Sequence, residues 1–369
     1  MYSKRILIDF RHIDKKNGFS TYLIMILKAI DSVDREFFLL VNENDFDFDE
    51  YIKTNKNVKF IKAKSKPFSF SQNYEIPLLI KRNKIDLYHA INYDIPLFMF
   101  LAPKCKLIAT IHDLIPIVNK NIHKRSIIKN IYFEIMFRLC SFLSDRILTV
   151  SEYSKNDIVK YLKVNPNKVT AFHCSFRGKE IPEKTDFTLH KPLRVFFIGN
   201  NFEHKNILAG IEAAEILKNK NIGIVFNIAG QRTQYTDELE NYIKEHNLEE
   251  TVNISGKISE AAVDELFKTS DVFLFPSLAE GFGSPLLEAM NYGLPIVSSN
   301  KTVMPEVIGD AGILTEPHPE NIAEKIEFII HNPQVVSNLA QKGYERMQSF
   351  SQEKFNKNIL SVYTEVSNG

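Results

Sequence analysis

One stretch, residues 275–299, constrains the fold of this chain more than any other, and it reads FPSLAEGFGSPLLEAMNYGLPIVSS. Its pattern predicts the end of a strand, a glycine-containing loop, a short helix over 285–292 and a second strand. We expect Ser284 to cap the helix and Pro285 to take the first helical position, where a missing N–H costs nothing. Gly293 is expected to end the helix in a left-handed conformation. This order of elements is typical of an α/β protein.

The start of this predicted helix is a candidate binding site. The N–H groups of Leu286 and Leu287 are expected to point back at the loop, and a helix N-terminus behind a glycine loop attracts anions. Glu280 on the loop and Glu288 one turn inside the helix are expected to face the same space. Because a carboxylate repels phosphate but binds hydroxyls, a ligand that suits both features is a nucleotide diphosphate sugar. An ordinary strand–helix turn with a solvated Glu288 explains the spacing equally well.

The length, charge and cysteine content of the chain narrow its class. At 369 residues it is too long for one core and suits two domains. A formal net charge of +1 indicates no nucleic-acid partner. Cys105, Cys140 and Cys174 are too widely separated for a disulfide framework or a zinc motif, which favours a reducing cytoplasm. The N-terminus resembles a first strand rather than a signal peptide, and the longest apolar run, 95–102, is too short to span a bilayer.

The first half of the chain alternates predicted strands and helices. Strands are predicted at 5–10, 36–41, 58–61, 85–90, 106–111, 146–150 and 168–172. Gly18 is expected in the turn after the first strand, and His112 at the carboxyl end of a later one, where open α/β sheets bind ligands. A core or capping histidine is the alternative for His112. The acidic run at 42–50 has alternating aspartates, but its polar surroundings indicate a solvated loop, and no metal site is expected.

A helix predicted over 126–142 combines basic side chains with large apolar ones. Lys129 and Arg138 are interspersed with Ile127, Ile131 and Phe137. Such a helix can lie on an anionic membrane surface. A helix that covers one face of the sheet is the favoured interpretation, and peripheral contact with the inner face of a membrane is left open.

The second half repeats the α/β pattern without a residue-level repeat. Strands are predicted at 193–198, 223–228, 252–255, 271–275, 295–298 and 312–315, and helices without intervening strands at 322–330, 335–347 and 352–366. The polar stretch 178–192 is expected to link two doubly wound, Rossmann-like domains, 1–180 and 191–349. The last segment, 350–369, is expected to return as a helix to the first domain. The two domains are expected to face each other across a cleft lined by strand carboxyl ends.

Several collinear segments resemble the retaining glycosyltransferases of family 4, which have the GT-B fold. Glu280 and Glu288, with seven residues between them, match the glutamate signature of that family. Further similar segments are 110–116, 150–155, 256–259, 305–314 and the tail at 350–366. The order and spacing of these segments also agree, so the resemblance covers nearly the whole chain and is weakest between 42 and 84.

The resemblance implies that three residues are catalytic and that a fourth binds the ribose of the donor. Glu288 would accept hydrogen bonds from the ribose of the donor, and Glu280 would lie beside the transferred sugar, where a carboxylate stabilises a developing oxocarbenium ion. Lys205 would neutralise the diphosphate as it leaves. His112 would line the sugar pocket.

Other positions are implied to bind the donor. Gly18 would let the backbone approach the diphosphate, and Ile258 would lie near the base. The backbone around Phe282, Gly283 and Ser284 would hold sugar hydroxyls or the distal phosphate.

Two departures from the family pattern concern positively charged side chains. Asn200 and His204 are also expected beside the donor, but they stand where the family usually has an arginine. After Gly18 the family often has a second glycine and an arginine, and this chain has Ser20 and Thr21 there. These departures fit an unusual donor, a lower activity or a non-catalytic copy, and the intact glutamates and lysine argue against the last.

The function implied by the resemblance is transfer of a sugar from a nucleotide diphosphate sugar to a hydroxyl of a glycan or lipid-linked acceptor, with retained anomeric configuration. Front-face attack is predicted, in which the departing phosphate takes the acceptor proton and no metal or other cofactor is required. The alternatives are a nucleotide-sugar 2-epimerase of the same fold and a non-catalytic subunit of a transferase complex. The implied setting is bacterial polysaccharide or lipid-linked glycan assembly, in the cytoplasm or peripheral to the inner membrane. Donor base, donor sugar, acceptor and linkage stay open at this point.

Overall fold

The structure is a computed structural model that describes residues 4–12, 18–33, 36–42, 58–118, 126–176, 181 and 183–368. The predicted acidic loop lies outside these residues apart from Asn42, as do 178–180 and 182 of the predicted linker. The chain divides into two compact units. The first unit draws on residues 1–120, 125–177 and 350–369, and the second on 178–349.

The first unit contains a sheet of seven described strands, all of them parallel. The strands are β1 (Ile6–Asp9), β2 (Phe37–Asn42), β3 (Val58–Ala63), β4 (Leu87–Ala90), β5 (Lys106–Thr110), β6 (Arg146–Thr149) and β7 (Val169–Ala171). In space they follow the order β3-β2-β1-β4-β5-β6-β7. The interior strand β1 is buried at every position, as expected of a parallel strand that is covered on both faces. The order of the strands reverses at β1, with β2 and β3 on one side and β4 to β7 on the other, and this reversal is the mark of a doubly wound sheet.

Helices connect these strands, and serine side chains fix where two of them begin. They are α1 (Gly18–Asp31), α2 (Gln72–Arg82), α3 (Ile115–Val118), α4 (Ile127–Leu143) and α5 (Glu152–Leu162). The side chain of Ser126 accepts from the N–H of Lys129, and that of Ser151 from the N–H of Ser154, which are N-caps of α4 and α5. Gly18 is the first residue of α1, whereas it was expected in the turn before this helix.

The second unit contains a sheet of six described parallel strands in the order β10-β9-β8-β11-β12-β13. Strands β8 (Leu193–Ile198), β9 (Ile224–Ala229), β10 (Val252–Gly256), β11 (Val272–Phe275), β12 (Ile296–Ser299) and β13 (Ile313–Thr315) alternate with helices α6 (Ile207–Asn219), α7 (Gln234–Glu245), α8 (Glu260–Thr269), α9 (Ser284–Asn291) and α10 (Met304–Ile308). Helices α11 (Pro319–His331) and α12 (Gln334–Met347) follow. Each strand predicted from the sequence overlaps an observed one, which confirms two doubly wound α/β folds.

The last helix of the chain, α13 (Gln352–Asn368), belongs to the first unit although it follows the second in sequence. It packs against α1 and buries Phe355 and Tyr363. The Tyr363 hydroxyl lies 2.8 Å from Nδ1 of His89 on β4, and Nε2 of His89 lies 2.8 Å from Oγ1 of Thr110 on β5. These buried hydrogen bonds attach the C-terminal helix to the centre of the first sheet.

Backbone hydrogen bonds join the loops at the carboxyl edge of the second sheet. The N–H of Gly199 donates to the carbonyl of Ala229 at 3.0 Å, and the N–H of Gly230 donates to the carbonyl of Gly256 at 2.9 Å. Gly230 has a φ of +145°, and a Cβ atom at this position would lie 1.8 Å from the carbonyl oxygen of Gly199. Only glycine therefore lets the loops after β8 and β9 approach so closely.

We expect acid to destabilise the first unit through buried His89. Burial lowers the pKa of His89 from 6.5 to about 3. Between these values the unfolded chain takes up a proton that the folded unit excludes, so the free energy of unfolding falls as the pH falls, by at most about 1.4 kcal/mol per pH unit. Denaturant unfolding of the wild type and His89→Gln between about pH 7 and about pH 5 measures this slope, which should be smaller in the variant. Equal slopes would contradict the expectation.

Gly230→Ala is expected to lower the free energy of unfolding by about 2 kcal/mol or more, because the added methyl group collides with backbone and the φ value is strained for alanine. Gly223→Ala is the matched control, since its Cβ would meet only Pro192, at ordinary distances of 3.4 Å from the side chain and 3.6 Å from the backbone Cα atom. Thermal unfolding compares the two variants. If both melt with the wild type, the close approach of the loops does not limit stability.

Candidate active site

Loops from distant parts of the sequence gather at the carboxyl edge of the second sheet, because parallel strands all end there. Nine of the positions predicted to act on the donor lie on these loops or on the helix that follows one of them: Asn200, His204 and Lys205 follow β8, Ile258 follows β10, and Glu280, Phe282, Gly283, Ser284 and Glu288 follow β11. Gly18 and His112 lie in the first unit.

An ion pair between Lys205 and Glu280 forms the centre of this edge. The Nζ atom of Lys205 lies 2.6 Å from Oε1 of Glu280, and the two side chains are only 17% and 10% exposed. Lys205 ends a 3-10 turn after β8, and its ammonium group lies 5.8 Å from the centre of the Phe275 ring. The backbone N–H of Glu280 donates to Oγ1 of Thr302 at 3.1 Å. Lys205 and Glu280, which are 75 residues apart in sequence, thus form an ion pair that is partly shielded from water.

Backbone and amide hydrogen bonds set the positions of the two loops that carry this pair. The N–H of Leu278 donates to the carbonyl of His204 at 2.8 Å, which joins the loop after β11 to the loop after β8. Asn206, in the left-handed conformation with φ +54°, donates from Nδ2 to the carbonyls of Pro276 at 3.2 Å and Pro317 at 2.9 Å. The side chain of Asn206 therefore fastens the residue after Lys205 to the end of β11.

The helix α9 begins differently from the prediction. Gly283, with φ +85° and ψ +50°, occupies the N-cap, and Ser284 is the first helical residue with Pro285 second. The prediction of Ser284 as N-cap is therefore wrong. A left-handed N-cap favours glycine, and Ser284 is exposed instead of bonded to the helix start.

The amide groups at the start of α9 are also displaced from their predicted places. Leu286 was expected to point its N–H at the loop, but this N–H donates to the carbonyl of Gly283 at 2.9 Å. Of the first four positions of this helix, Pro285 has no N–H and Leu286 donates to Gly283. The N–H groups without an intrahelical acceptor are therefore those of Gly283 and Ser284. The predicted anion site thus lies one turn nearer to Glu280 in the sequence than expected.

The end of α9 confirms the prediction for Gly293, which has φ +59°. Its N–H donates to the carbonyl of Met290 at 3.0 Å, and the N–H of Leu294 donates to the carbonyl of Ala289 at 3.0 Å. These two bonds form a Schellman motif. The helix is therefore fixed at both ends by glycine, and its start is held in place beside the ion pair.

The remaining predicted positions of the second unit differ in exposure. Asn200 is exposed, whereas the neighbouring Asn201 is fully buried. The ring of His204 stacks on that of Phe202, with centroids 5.8 Å apart and an interplanar angle of 16°. His204 itself is half-buried and directly precedes Lys205 in the sequence.

Phe282 is buried, and Glu288 and Ile258 are half-buried. The burial of Phe282 anchors the loop between Glu280 and α9, because its side chain is taken out of water. Glu288 lies in the second turn of α9. The prediction that its side chain faces the same space as Glu280 stays a prediction. The prediction that Ile258 contacts the base stays a prediction.

In the first unit, His112 follows β5 and is held by a backbone carbonyl. Its Nε2 lies 3.0 Å from the carbonyl oxygen of Ile91, and since a carbonyl only accepts, Nε2 carries the proton. The ring of Tyr22 packs edge-on at 5.0 Å. Burial lowers the pKa of His112 to about 4, although the bond to Ile91 opposes this shift. His112 is therefore neutral near pH 7.

A buried charged pair at the end of β1 was missed by the sequence analysis. Arg11 binds the carboxylate of Asp9 through Nε at 3.0 Å and Nη2 at 2.7 Å, and both side chains are almost fully buried. The hydroxyl of Tyr88 donates to Asp9 at 2.6 Å, and Arg11 donates to Gln72 at 3.0 Å. Burial alone would raise the pKa of Asp9, but the charge of Arg11 lowers it to about 2. The signal available in the sequence was a carboxylate at the last position of an apolar strand and an arginine two residues later.

Two kinds of feature are absent from the described residues. In that part of the chain, no cluster of three or more histidine, cysteine or carboxylate side chains is arranged to hold a metal ion. Nor does any helix there combine the length and apolar character that crossing a membrane requires.

Two family models match adjacent parts of the chain. Residues 16–180 match the model described as Glycosyltransferase Family 4, and residues 180–346 match the model described as Glycosyl transferases group 1. The O-antigen chain mannosyltransferase B of Escherichia coli is 24% identical over 287 residues, which cover 75% of this chain and 74% of that relative.

Solved structures share the fold along the whole chain. Sucrose-phosphate synthase from Thermosynechococcus elongatus has a TM-score of 0.80 at 16% identity, over 98% of this chain and 99% of that one. The Anabaena protein HepE in complex with UDP-glucose has a TM-score of 0.73 at 17% identity, over 98% and 99% of the two chains. At such identities the likeness shows the fold alone. The two family models adjoin and together match most of the chain, and each half of the chain is a doubly wound unit of GT-B type. The chain therefore belongs to the GT-B glycosyltransferases described by these two models, family 4 and group 1.

Proposed function

We propose that this glycosyltransferase moves a hexose from a nucleoside diphosphate sugar to a hydroxyl group of a glycan or lipid-linked acceptor, with retention of anomeric configuration. The bond from the anomeric carbon to the diphosphate oxygen breaks, and the acceptor oxygen bonds to that carbon on the same face. The acceptor proton passes to the departing phosphate oxygen. Charge neutralisation and positioning, rather than a protein nucleophile, supply the catalysis.

The Lys205–Glu280 pair is the observation that carries this proposal. An ammonium group has three N–H donors, so Lys205 can keep Glu280 and still donate to a phosphate oxygen. In the free protein the charge of Glu280 balances that of Lys205. A bound diphosphate would add negative charge at the same place, and the ammonium group of Lys205 would then stabilise it. Glu280 then lies within reach of the sugar carried by that phosphate, where its negative charge opposes the positive charge that develops at the anomeric carbon.

The neighbouring positions complete a donor site of matching chemistry. The amides of Gly283 and Ser284 at the start of α9 suit a phosphate or a sugar hydroxyl. Glu288 suits the ribose hydroxyls, and the loop with Asn200 and His204 borders the diphosphate. These roles rest on the family resemblance together with the placement of the residues at one sheet edge.

For the first unit we retain the predicted roles of Gly18 and His112. A neutral imidazole suits hydrogen bonding to a sugar hydroxyl better than pairing with a phosphate, and the bond to Ile91 fixes the ring in one orientation. No divalent metal is required by this scheme, since Lys205 and the start of α9 provide the positive potential.

The first expected outcome concerns the donor. Nucleoside diphosphates that fit the site should raise the melting temperature, because a ligand at one hundred times its Kd adds about 2.7 kcal/mol. UDP, GDP and ADP are to be screened, followed by UDP-glucose and a mannose donor, since one relative is a mannosyltransferase and one structural neighbour holds UDP-glucose.

Transferase activity should persist in the presence of a chelator, and NMR of the product should show a retained anomeric configuration.

Other outcomes of this experiment would replace the proposal. A chelator that abolishes turnover would contradict metal independence. An epimerised nucleotide sugar formed without acceptor would indicate the 2-epimerase instead. Absence of binding by every nucleoside diphosphate would favour a non-catalytic subunit.

Lys205→Met, which keeps an unbranched side chain of similar length and removes its charge, should lower kcat/KM about a hundredfold, equal to a loss of about 2.7 kcal/mol of transition-state stabilisation. Lys301→Met is the matched control, because Lys301 also forms a 2.6 Å ion pair, with Glu316, but both partners are about half exposed, at 41% and 47%. An exposed pair of this kind contributes little. Equal kcat/KM values for the two variants would refute the role of Lys205.

A further inference from the structure

The loop that carries Glu280 is held by side-chain hydroxyl groups from the end of β12 and from the segment behind it. The hydroxyl of Ser298 donates to the carbonyl of Phe275 at 2.9 Å, and that of Ser299 donates to the carbonyl of Ser277 at 2.5 Å. Both of these serines are fully buried. They fix the first part of the loop after β11, but they do not reach the part in which Glu280 lies.

The hydroxyl that does reach Glu280 belongs to Thr302. Its Oγ1 atom accepts from the backbone N–H of Glu280 at 3.1 Å, and its own O–H is directed at the sulfur of Met304 at 3.8 Å, which is a weak acceptor. The side chain of Thr302 is half-buried, so water competes less for the bond. The residue whose carboxylate pairs with Lys205 at 2.6 Å is therefore also held by its backbone.

The backbone of Thr302 is left-handed, with φ +46°. Among the non-glycine residues with positive φ in the described part of the chain, Thr302 is the only β-branched one. A β-branched side chain is strongly disfavoured in this conformation, because its branches crowd the neighbouring backbone, whereas glycine adopts it without strain. The chain thus has an unfavourable residue at a position that glycine would occupy easily, which indicates that the threonine side chain has a role of its own.

Backbone hydrogen bonds on both sides hold Thr302 in this conformation. The N–H of Asn300 donates to the carbonyl of Thr315, the last residue of β13, at 2.8 Å. The N–H of Met304, the first residue of α10, donates to the carbonyl of Lys301 at 3.2 Å. Position 302 therefore lies in a turn whose two ends are fixed. Backbone strain of this kind persists only where the surrounding structure enforces it, and it is concentrated at functional sites.

We propose that Thr302 is a positioning residue for the transfer reaction, and that its hydroxyl holds the backbone of Glu280 so that the carboxylate stays beside the reacting carbon of the donor. This inference rests on the proposed function. In the free protein Lys205 also restrains Glu280, but a bound diphosphate shares the ammonium group of Lys205. The bond from the backbone of Glu280 to Thr302 involves no ligand, so it is unchanged when the donor arrives. The strained backbone of Thr302 is the loss of stability that accompanies this placement.

Variants at position 302 separate the hydroxyl from the strain. Thr302→Ser keeps the hydroxyl, Thr302→Val keeps the branched shape without it, and Thr302→Gly removes both the hydroxyl and the strain. With a donor that the wild type uses, the serine variant should keep kcat within about twofold, whereas the valine and glycine variants should each lower it about tenfold. KM for the donor and the Kd of the free nucleoside diphosphate should change little, because the hydroxyl acts on Glu280 and not on the nucleotide.

The melting temperatures should follow a different order from the activities. Thr302→Gly should melt above Thr302→Val, because both lack the hydroxyl and only valine is strained at a positive φ. Activity would then follow the hydroxyl while stability follows the backbone. If Thr302 had a merely structural role, the more stable of these two variants would also be the more active one.

Thr269→Val is the matched control, since it also removes the hydroxyl of a half-buried threonine. The hydroxyl of Thr269 donates to the carbonyl of Glu265 at 2.8 Å within α8, and α8 ends there, just before β11 begins. Thr269 therefore lies at the amino edge of the second sheet, opposite the candidate active site. Its valine variant should keep the kcat of the wild type.

Three results would overturn the inference. The first is a wild-type kcat in Thr302→Val, or in Thr302→Gly if the valine variant does not fold. The second is a melting temperature of Thr302→Gly no higher than that of Thr302→Val, which would show that position 302 is not strained. The third is a wild type that transfers no sugar from any donor, which would overturn the proposed function as well, whereas the first two leave the proposed function intact.

Discussion

Backbone hydrogen bonds between neighbouring loops are the constraint on which the candidate active site depends. The carboxyl ends of parallel strands bring these loops to one edge, and the contact between Gly230 and Gly199 brings two of them closer than any side chain would allow. The bond from Leu278 to His204 then joins the loops that carry Lys205 and Glu280. An ion pair between residues far apart in sequence is thus positioned mainly by backbone, which costs little side-chain entropy when a ligand arrives.

The first unit uses buried polar side chains for the same purpose. His89 attaches α13 to the sheet, and the pair of Asp9 and Arg11 closes the end of β1. Buried charges are costly unless they are paired and hydrogen-bonded, and here Tyr88 and Gln72 complete the bonding. These buried groups thus have polar partners, whereas on the outer face of α4 apolar side chains remain in water.

Prediction from the sequence succeeded where local chemistry decides the structure. Buried apolar runs predicted every described strand, and Gly293 ends its helix as expected because glycine takes a left-handed conformation cheaply. It failed at the start of α9, where both Gly283 and Ser284 are acceptable N-caps and the loop geometry chose glycine. It also missed Asp9 and Arg11, because a charge next to a strand gives no sign of its partner.

The sequence by itself determined two doubly wound α/β units, the family, and the chemical types of the candidate site residues. Periodicity, glycine positions and a spaced pair of glutamates are local properties, and they survive without knowledge of any long-range contact. Only the tertiary structure decided that Lys205 touches Glu280, that burial keeps His112 neutral, and that α4 leaves one apolar face in water. Each of these depends on what lies across space from a residue, and the packing of the whole unit sets that neighbour.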